Sequence, residues 1–137
     1  MEIKSIYGPR ISMAIELIWN TFLQFEAPDY SDEGIKSFKD FIDSKEIIST
    51  LEFWGAYDGG ELKGVIATNE NRGHICCFFV AAVHHRQGIG RKLWEHLLEN
   101  SECSVITVNS SPYAVAFYRK LGFTDTDSEQ LSDGMRY

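Results

Sequence analysis

The sequence predicts an α+β fold in three layers, a mixed and mostly antiparallel sheet of six or seven strands flanked by four helices, in the order βααβββαβαββ. Three observations carry this. Apolar residues recur at helical spacing through the first 50 positions. From Glu52 the pattern changes to short strands separated by turn residues. Near position 75 an apolar strand leads, through a glycine-containing turn, into an amphipathic helix.

In order along the chain, Ile3–Ile6 is a short strand broken by Gly8-Pro9. Ile11, Ile15, Ile18, Trp19 and Phe22 then form one helical stripe, with Ser12, Glu16, Asn20 and Gln24 opposite. Ala27-Pro28-Asp29-Tyr30 is a loop, and Ser31 caps a second helix whose stripe is Ile35, Phe38, Phe41 and Ile42. Glu52–Asp58 and Leu62–Asn69 are strands joined by a hairpin signal, Asp58-Gly59-Gly60. A turn at 69–73 leads to the apolar strand ending at Val80. A third helix carries Ile89, Leu93, Trp94 and Leu97. The strand 104–108 follows, then a helix capped by Ser111 and started by Pro112, with Val115, Tyr118 and Leu121 on one face. Gly122 ends it in a left-handed cap, with Phe123 folded back. Two final strands are expected near 124–128 and 134–137. There are no repeats or linkers, so residues 1–137 are read as one domain.

The most informative stretch is His84-His85-Arg86-Gln87-Gly88-Ile89-Gly90-Arg91-Lys92. A strand, a glycine turn and a helix start present free backbone N–H groups, which suit a phosphate-sized anion. Arg91 and Lys92 sit in the first helical turn, where cations oppose the helix dipole by roughly 0.3–1 kcal/mol each. A bound polyanion converts that penalty to attraction. The P-loop pattern is absent, and the dinucleotide pattern GxGxxG fails because Leu93 stands at the third glycine.

Composition narrows the function. Hydrophobic residues make up 44% of the chain and the net charge is −7, so the basic cluster is set in an acidic body. This argues against nucleic acid as a partner. No apolar run is long enough to span a membrane. The N-terminus lacks the basic-then-apolar layout of a signal peptide, and three cysteines, two of them adjacent in a strand, read as reduced; a cytoplasmic location is expected. The histidines at 74, 84, 85 and 96 form no metal pair with the cysteines, and no metal is expected.

The stretch 85–90 resembles motif A of the GNAT superfamily, the GCN5-related N-acetyltransferases, whose signature is Gln/Arg-x-x-Gly-x-Gly/Ala. His85 departs from the first position, and Gly88 and Gly90 match. Downstream, the run from Asn109 through Ala114, Phe117 and Tyr118 to Gly122-Phe123 is similar to the family's motif B, Asn…Ala-x-x-Phe-Tyr-x-x-x-Gly-Phe. The resemblance covers residues 52–123, and the element order is also the one the family uses.

The resemblance implies acetyl-CoA as co-substrate, lying between splayed fourth and fifth strands. Its arm would follow the backbone at Phe78 and Val80, with the Val80 N–H near the thioester carbonyl. Its diphosphate would meet the amides of Arg86, Gln87, Gly88, Ile89, Gly90 and Arg91, and Asn109 would bond the arm. Tyr118 occupies the position of the general acid. The fourth strand carries no acid. His74 is the titratable imidazole there, and period-2 counting puts it on the face of Cys76, Phe78 and Val80. Glu52 or Glu70 acting through water are alternative bases. Substrate recognition falls to Gln24–Asp32, where Phe25, Glu26, Asp29, Tyr30 and Asp32 suit a cationic amine. The expected activity is acetyl transfer to a primary amine of a small molecule or peptide, by a monomer or homodimer. The alternative is a non-catalytic acyl-CoA-binding or regulatory module.

Overall fold

In the computed structural model, residues 1–81, 88–103, 105–109, 114–124, 131–132 and 135–136 are described. Their strands are β1 (Glu2–Ile6), β2 (Glu52–Asp58), β3 (Glu61–Thr68), β4 (His74–Val80), β5 (Thr107–Val108), β6 (Leu131–Ser132) and β7 (Met135–Arg136). The helices are α1 (Ile11–Phe25), α2 (Asp32–Asp43), α3 (Lys45–Ser49), α4 (Ile89–Asn100) and α5 (Val115–Lys120). Gly59 and Gly60 both adopt positive φ, +61° and +83°, the requirement of a two-residue hairpin turn that matches strand twist. The predicted Asp58-Gly59-Gly60 hairpin therefore forms, with Asp58 opposite Glu61.

Strands β1 to β5 make a five-stranded sheet in chain order. The first four are antiparallel neighbours, and β5 joins β4 in parallel. Among the described residues β6 and β7 pair only with each other, so the sheet has five strands where six or seven were expected. The fifth strand is also shorter than the 104–108 expected, two residues long.

The first two helices form as the periodicity predicts, and Ser31 caps α2 by accepting a hydrogen bond from Gly34 N at 3.2 Å. Helix α3 was not expected. Ser44 caps it in the same way through Ile47 N, but five residues are too few to show a helical period. Five α-helices thus replace the expected four among the described residues.

Alternation along β3 divides the core. Val65 and Ala67 face α1 and α2, where Ile18, Phe22, Phe38 and Ile42 cover them. Ile66 faces the opposite way, toward Leu93, Trp94 and Leu97 of α4. The sheet is therefore the middle layer of three. In β4 the alternation slips. Ala67 pairs with Cys77 but Thr68 pairs with Ile75, which leaves Cys76 as an extra residue, a β-bulge. Ile75 consequently shares a cluster with Phe78 and Val80, while Cys77 and Phe79 join the other. Simple period-2 counting from His74 fails at this point, and His74 falls out of step with Phe78 and Val80.

One side chain locks the β3–β4 turn to the end of α4. Arg72 has φ +60°. Its Nε donates to Glu52 at 2.6 Å and its Nη1 donates to the Asn100 carbonyl at 2.7 Å. The guanidinium lies 5.2 Å from the Trp54 ring centre. A cation at a helix C-terminus also complements the dipole. Arg72→Ala should lower unfolding stability by about 1–2 kcal/mol. Arg72→Gly should lower it less, because glycine removes the backbone strain that alanine retains. Urea denaturation of both variants checks the order; equal losses would mean the backbone at 72 is unstrained.

Candidate functional site

The strand pairing creates the site. Among the described residues β4 and β5 pair at His74–Thr107 and Ile75–Val108. Beyond Ile75, β4 keeps β3 on one side, but among the described residues no strand pairs with its other edge. The gap is a cleft of about 90 Å³. Its walls come from β4 (Ile75 to Phe79), from Val108 and Asn109 at the end of β5, from Tyr118 of α5, and from Phe22, Glu26, Tyr30 and Phe38 of the first two helices and their loop.

Tyr118 is aimed by the way α5 ends. Phe123 N donates to the Tyr118 carbonyl at 3.1 Å and Gly122 N to the Arg119 carbonyl at 3.1 Å, with Gly122 at φ +102°. This is the glycine C-cap expected from the sequence. The accompanying apolar contact is Phe123 against Tyr118, 5.4 Å between ring centres, with Trp94 4.8 Å from Phe123 on the other side. Phe78 packs edge-on against Tyr118 at 6.0 Å. The phenol is held between α4, α5 and β4 and is 8% exposed. Burial, then the negative charge of Glu26, then Cys77 raise its pKa well above the ordinary phenol range.

The same surroundings act on the thiols. Burial pushes Cys76 up. Burial, with smaller contributions from Cys76 and Glu26, pushes Cys77 up further. His74 is shifted the other way, toward the neutral form, by desolvation. Its Nδ1 lies 2.7 Å from Thr107 Oγ1. It stands at the closed end of the gap and is not among the residues lining the cleft. Glu52 is engaged by Arg72, and Glu70 is exposed in the β3–β4 turn.

At the other end, Gly88 (φ +79°) precedes α4 as its N-cap, and a β-carbon there would meet nothing within 4 Å among the described residues. Ile89, by contrast, is buried in the core, so only its backbone faces outward. A β-carbon at Gly90 would come within 2.8 Å of the Phe117 ring. A larger residue at 90 would have to displace the exposed Phe117 ring, a neighbour the sequence did not reveal. The Arg91 side chain donates to the Lys120 carbonyl at 3.1 Å, tying the two helices. Phe78 and Asn109 line the cleft; Val80 lies on the same strand, paired with Gly64. Arg86, Gln87 and His85, and the caps Ser111 and Pro112, lie outside the described residues.

Of the predicted acceptor region, Glu26 and Tyr30 reach the cleft, while Asp29 and Asp32 do not line it. Sequence spacing alone does not separate these four. The distinction comes from the short 3-10 turn at Ala27–Asp29, which follows Glu26 at the end of α1.

The raised groups give a sign for stability. Above pH ~9 the unfolded chain releases protons from Cys77 and then Tyr118 that the folded chain retains. Unfolding free energy should therefore fall as pH rises from 9 to 11, by roughly 1 kcal/mol per pH unit for each such group. In Tyr118→Phe the slope above pH 10 should be shallower, as denaturation at stepped pH would register. A slope independent of Tyr118 would mean the phenol is not shielded.

Residues 26–137 match the family described as "Acetyltransferase (GNAT) domain". The chain is 27% identical over 110 residues to the UPF0157 protein YqkA of Bacillus subtilis (strain 168), covering 75% of this chain and 32% of that relative. It therefore spans about a third of the length of the curated relative it matches. Among solved structures, it superposes on a GCN5-related N-acetyltransferase from Rhodopseudomonas palustris with a TM-score of 0.83 at 17% identity, covering 98% of this chain and 89% of that one. The aminoglycoside acetyltransferase HMB0005 from an uncultured soil metagenomic sample gives 0.64 at 20% identity, covering 93% of each. AAC(6')-Iy, solved with a CoA-containing bisubstrate analogue, gives 0.60 at 15% identity, covering 96% and 95%. At these identities the structures report the fold, whereas the family match extends over most of the sequence: the chain belongs to the GNAT acetyltransferase family.

Proposed function

We propose that the protein transfers an acetyl group from acetyl-CoA to a primary amine of a small molecule or peptide, by direct attack in the cleft between β4 and β5. The observation that carries this reading is a buried, protonated Tyr118 in the wall of a cleft that opens where, among the described residues, β4 loses its partner strand. The residues present suit the co-substrate. Among the described residues nothing covers Gly88. The amides of Gly88, Ile89, Gly90 and Arg91 lie at the start of α4, where the first turn has no acceptor within the helix. These amides, with Arg86 and Gln87 just before them in sequence, bind the diphosphate. The edge of β4 that faces the cleft takes the extended arm along Phe78 and Val80 as an added strand would be taken, and Asn109 bonds it from β5.

Acetyl-CoA, when bound, supplies the activated acyl carbon. The protein's part is to keep water out, orient the amine and manage one proton. Tyr118 holds that proton at its hydroxyl, because burial and the Glu26 charge disfavour the phenolate. A departing thiolate needs a donor. An ordinary phenol would be a weak one, since its pKa lies above that of a thiol in water. Here the gap narrows: the burial that raises Tyr118 also raises the thiols Cys76 and Cys77 in the same wall, so a thiolate formed beside them is a stronger base than in water. His74 is biased to the neutral state a proton acceptor needs. It does not line the cleft, so its part in taking a proton from the amine is at one remove, through solvent.

Tyr118→Phe should reduce turnover by about 10²-fold or more with little change in CoA affinity, the range general acids supply. Free-thiol release across an amine panel reads the first quantity and calorimetry the second. Gly90→Arg should abolish the CoA-induced rise in melting temperature. Turnover in Tyr118→Phe equal to wild type would remove the general-acid role. CoA binding with no turnover of any amine would favour a non-catalytic binding module.

A further inference from the structure

Helix α5 is six residues long, too short to hold itself together in water, so contacts with the rest of the fold set where it lies. This matters because α5 carries Tyr118. The carbonyls at its C-terminal end are met in two ways. That of Tyr118 accepts from the amides of Leu121 and Phe123, and that of Arg119 from the amide of Gly122, all within the same stretch of chain. The Lys120 carbonyl accepts from another element, Nη2 of Arg91 on α4, at 3.1 Å.

Arg91 stands in the first turn of α4, where a cation opposes the helix dipole. Its side chain crosses to the C-terminal end of α5, where a cation is favoured. The charge that one helix disfavours thus suits the other. A second contact joins the same turn of α4 to α5. The Phe117 ring lies against Gly90, within 2.8 Å of where a β-carbon would stand. That ring packs edge-on against Phe78 at 5.2 Å and against its neighbour Tyr118 at 5.4 Å. The start of α4 therefore touches α5 on either side of Tyr118 in sequence, at residues 117 and 120.

We infer that Arg91 is a positioning residue for the reaction, its side chain holding α5, through the Lys120 carbonyl, where Tyr118 can serve as proton donor in the cleft. This rests on the acetyltransferase reading and deepens it. Backbone and side chain of one residue then have separate tasks. The Arg91 amide belongs to the turn that meets the diphosphate, while its guanidinium steadies the helix that carries the acid. The guanidinium is exposed, so its loss leaves the buried core intact. What changes is the freedom of a short helix at the end next to Tyr118. Proton transfer to a departing sulfur needs the hydroxyl at hydrogen-bond distance, and a loosened helix meets that condition less often.

The test is a double-mutant cycle on the full chain, with wild type, Arg91→Met, Tyr118→Phe and the double variant. Methionine keeps an unbranched stem and removes the donor. Free-thiol release from acetyl-CoA is followed with 2-phenylethylamine, spermidine, kanamycin and a short peptide with a free N-terminus, and CoA affinity by calorimetry. With Tyr118 present, Arg91→Met should lower kcat by about threefold to tenfold, the net worth of one hydrogen bond, and leave the Kd for CoA within about twofold of wild type. In Tyr118→Phe the same change should alter kcat by less than about twofold, because the group it positions is gone. An equal loss of kcat in both backgrounds overturns the inference, since the arginine would then act on the fold and not through the phenol. So does an unchanged kcat in Arg91→Met, or a Kd for CoA raised about tenfold, which would assign the guanidinium to the diphosphate. Turnover in Tyr118→Phe equal to wild type, or no turnover of any amine by wild type, instead overturns the acetyltransferase reading beneath it.

Discussion

The site depends on one backbone event: among the described residues, β5 pairs with β4 no further than Ile75. A strand inside a sheet has both edges bonded; an unpaired edge is normally a liability that proteins cover or twist away. Here the unpaired edge borders a cleft in the molecule's own core. The Cys76 bulge occurs at the same place, and bulges bend strands and increase their twist. The bulge also reassigns faces, sending Phe78 toward α4 and α5 and Phe79 toward α1 and α2. Neighbouring residues of one strand therefore reach both halves of the cleft: Phe78 meets Tyr118, and Phe79 meets Phe38.

Around that edge the protein builds an apolar enclosure whose polar members are few and placed. Tyr118 is fixed by a glycine-capped helix end and by three neighbouring aromatic rings, Phe78, Phe117 and Phe123. Enclosure decides its chemistry, because burial is the first cause of its raised pKa and Glu26 the second. The arrangement separates two tasks by element. The start of α4 offers backbone amides with no side-chain obstruction at Gly88, while α1 and the loop after it supply aromatics and one carboxylate. In the proposed reaction the first set meets the diphosphate and the second the amine.

Most of the architecture was legible in the sequence because it is written in periodicity and turn chemistry. The stripe of α1, the Ser31 cap, the glycine hairpin and the Gly122-Phe123 helix end all follow from local rules. What escaped was set by pairing or by length. Helix α3 is too short to show a period. The bulge at Cys76 is invisible in a run of apolar letters, so the face of His74 was misjudged. The last two strands pair with each other and, among the described residues, not with the main sheet. Within the site, Tyr118, Phe78 and Asn109 were identified by resemblance and line the cleft. Glu26 and Tyr30 were two of several acidic and aromatic candidates, and the fold brings these two to the cleft. At Gly90 the fold adds a neighbour that the sequence did not reveal, the Phe117 ring.

The central claim is that the edge of β4 facing the cleft is the seat of the co-substrate's arm. Amide hydrogen exchange along Cys76–Val80, measured with and without CoA, addresses it directly. The account expects alternate amides on this strand to exchange fast in the free protein and to become protected when CoA is bound, while β2 and β3 stay unchanged. Uniform protection of these amides before CoA is added, or no change on its addition, would contradict it.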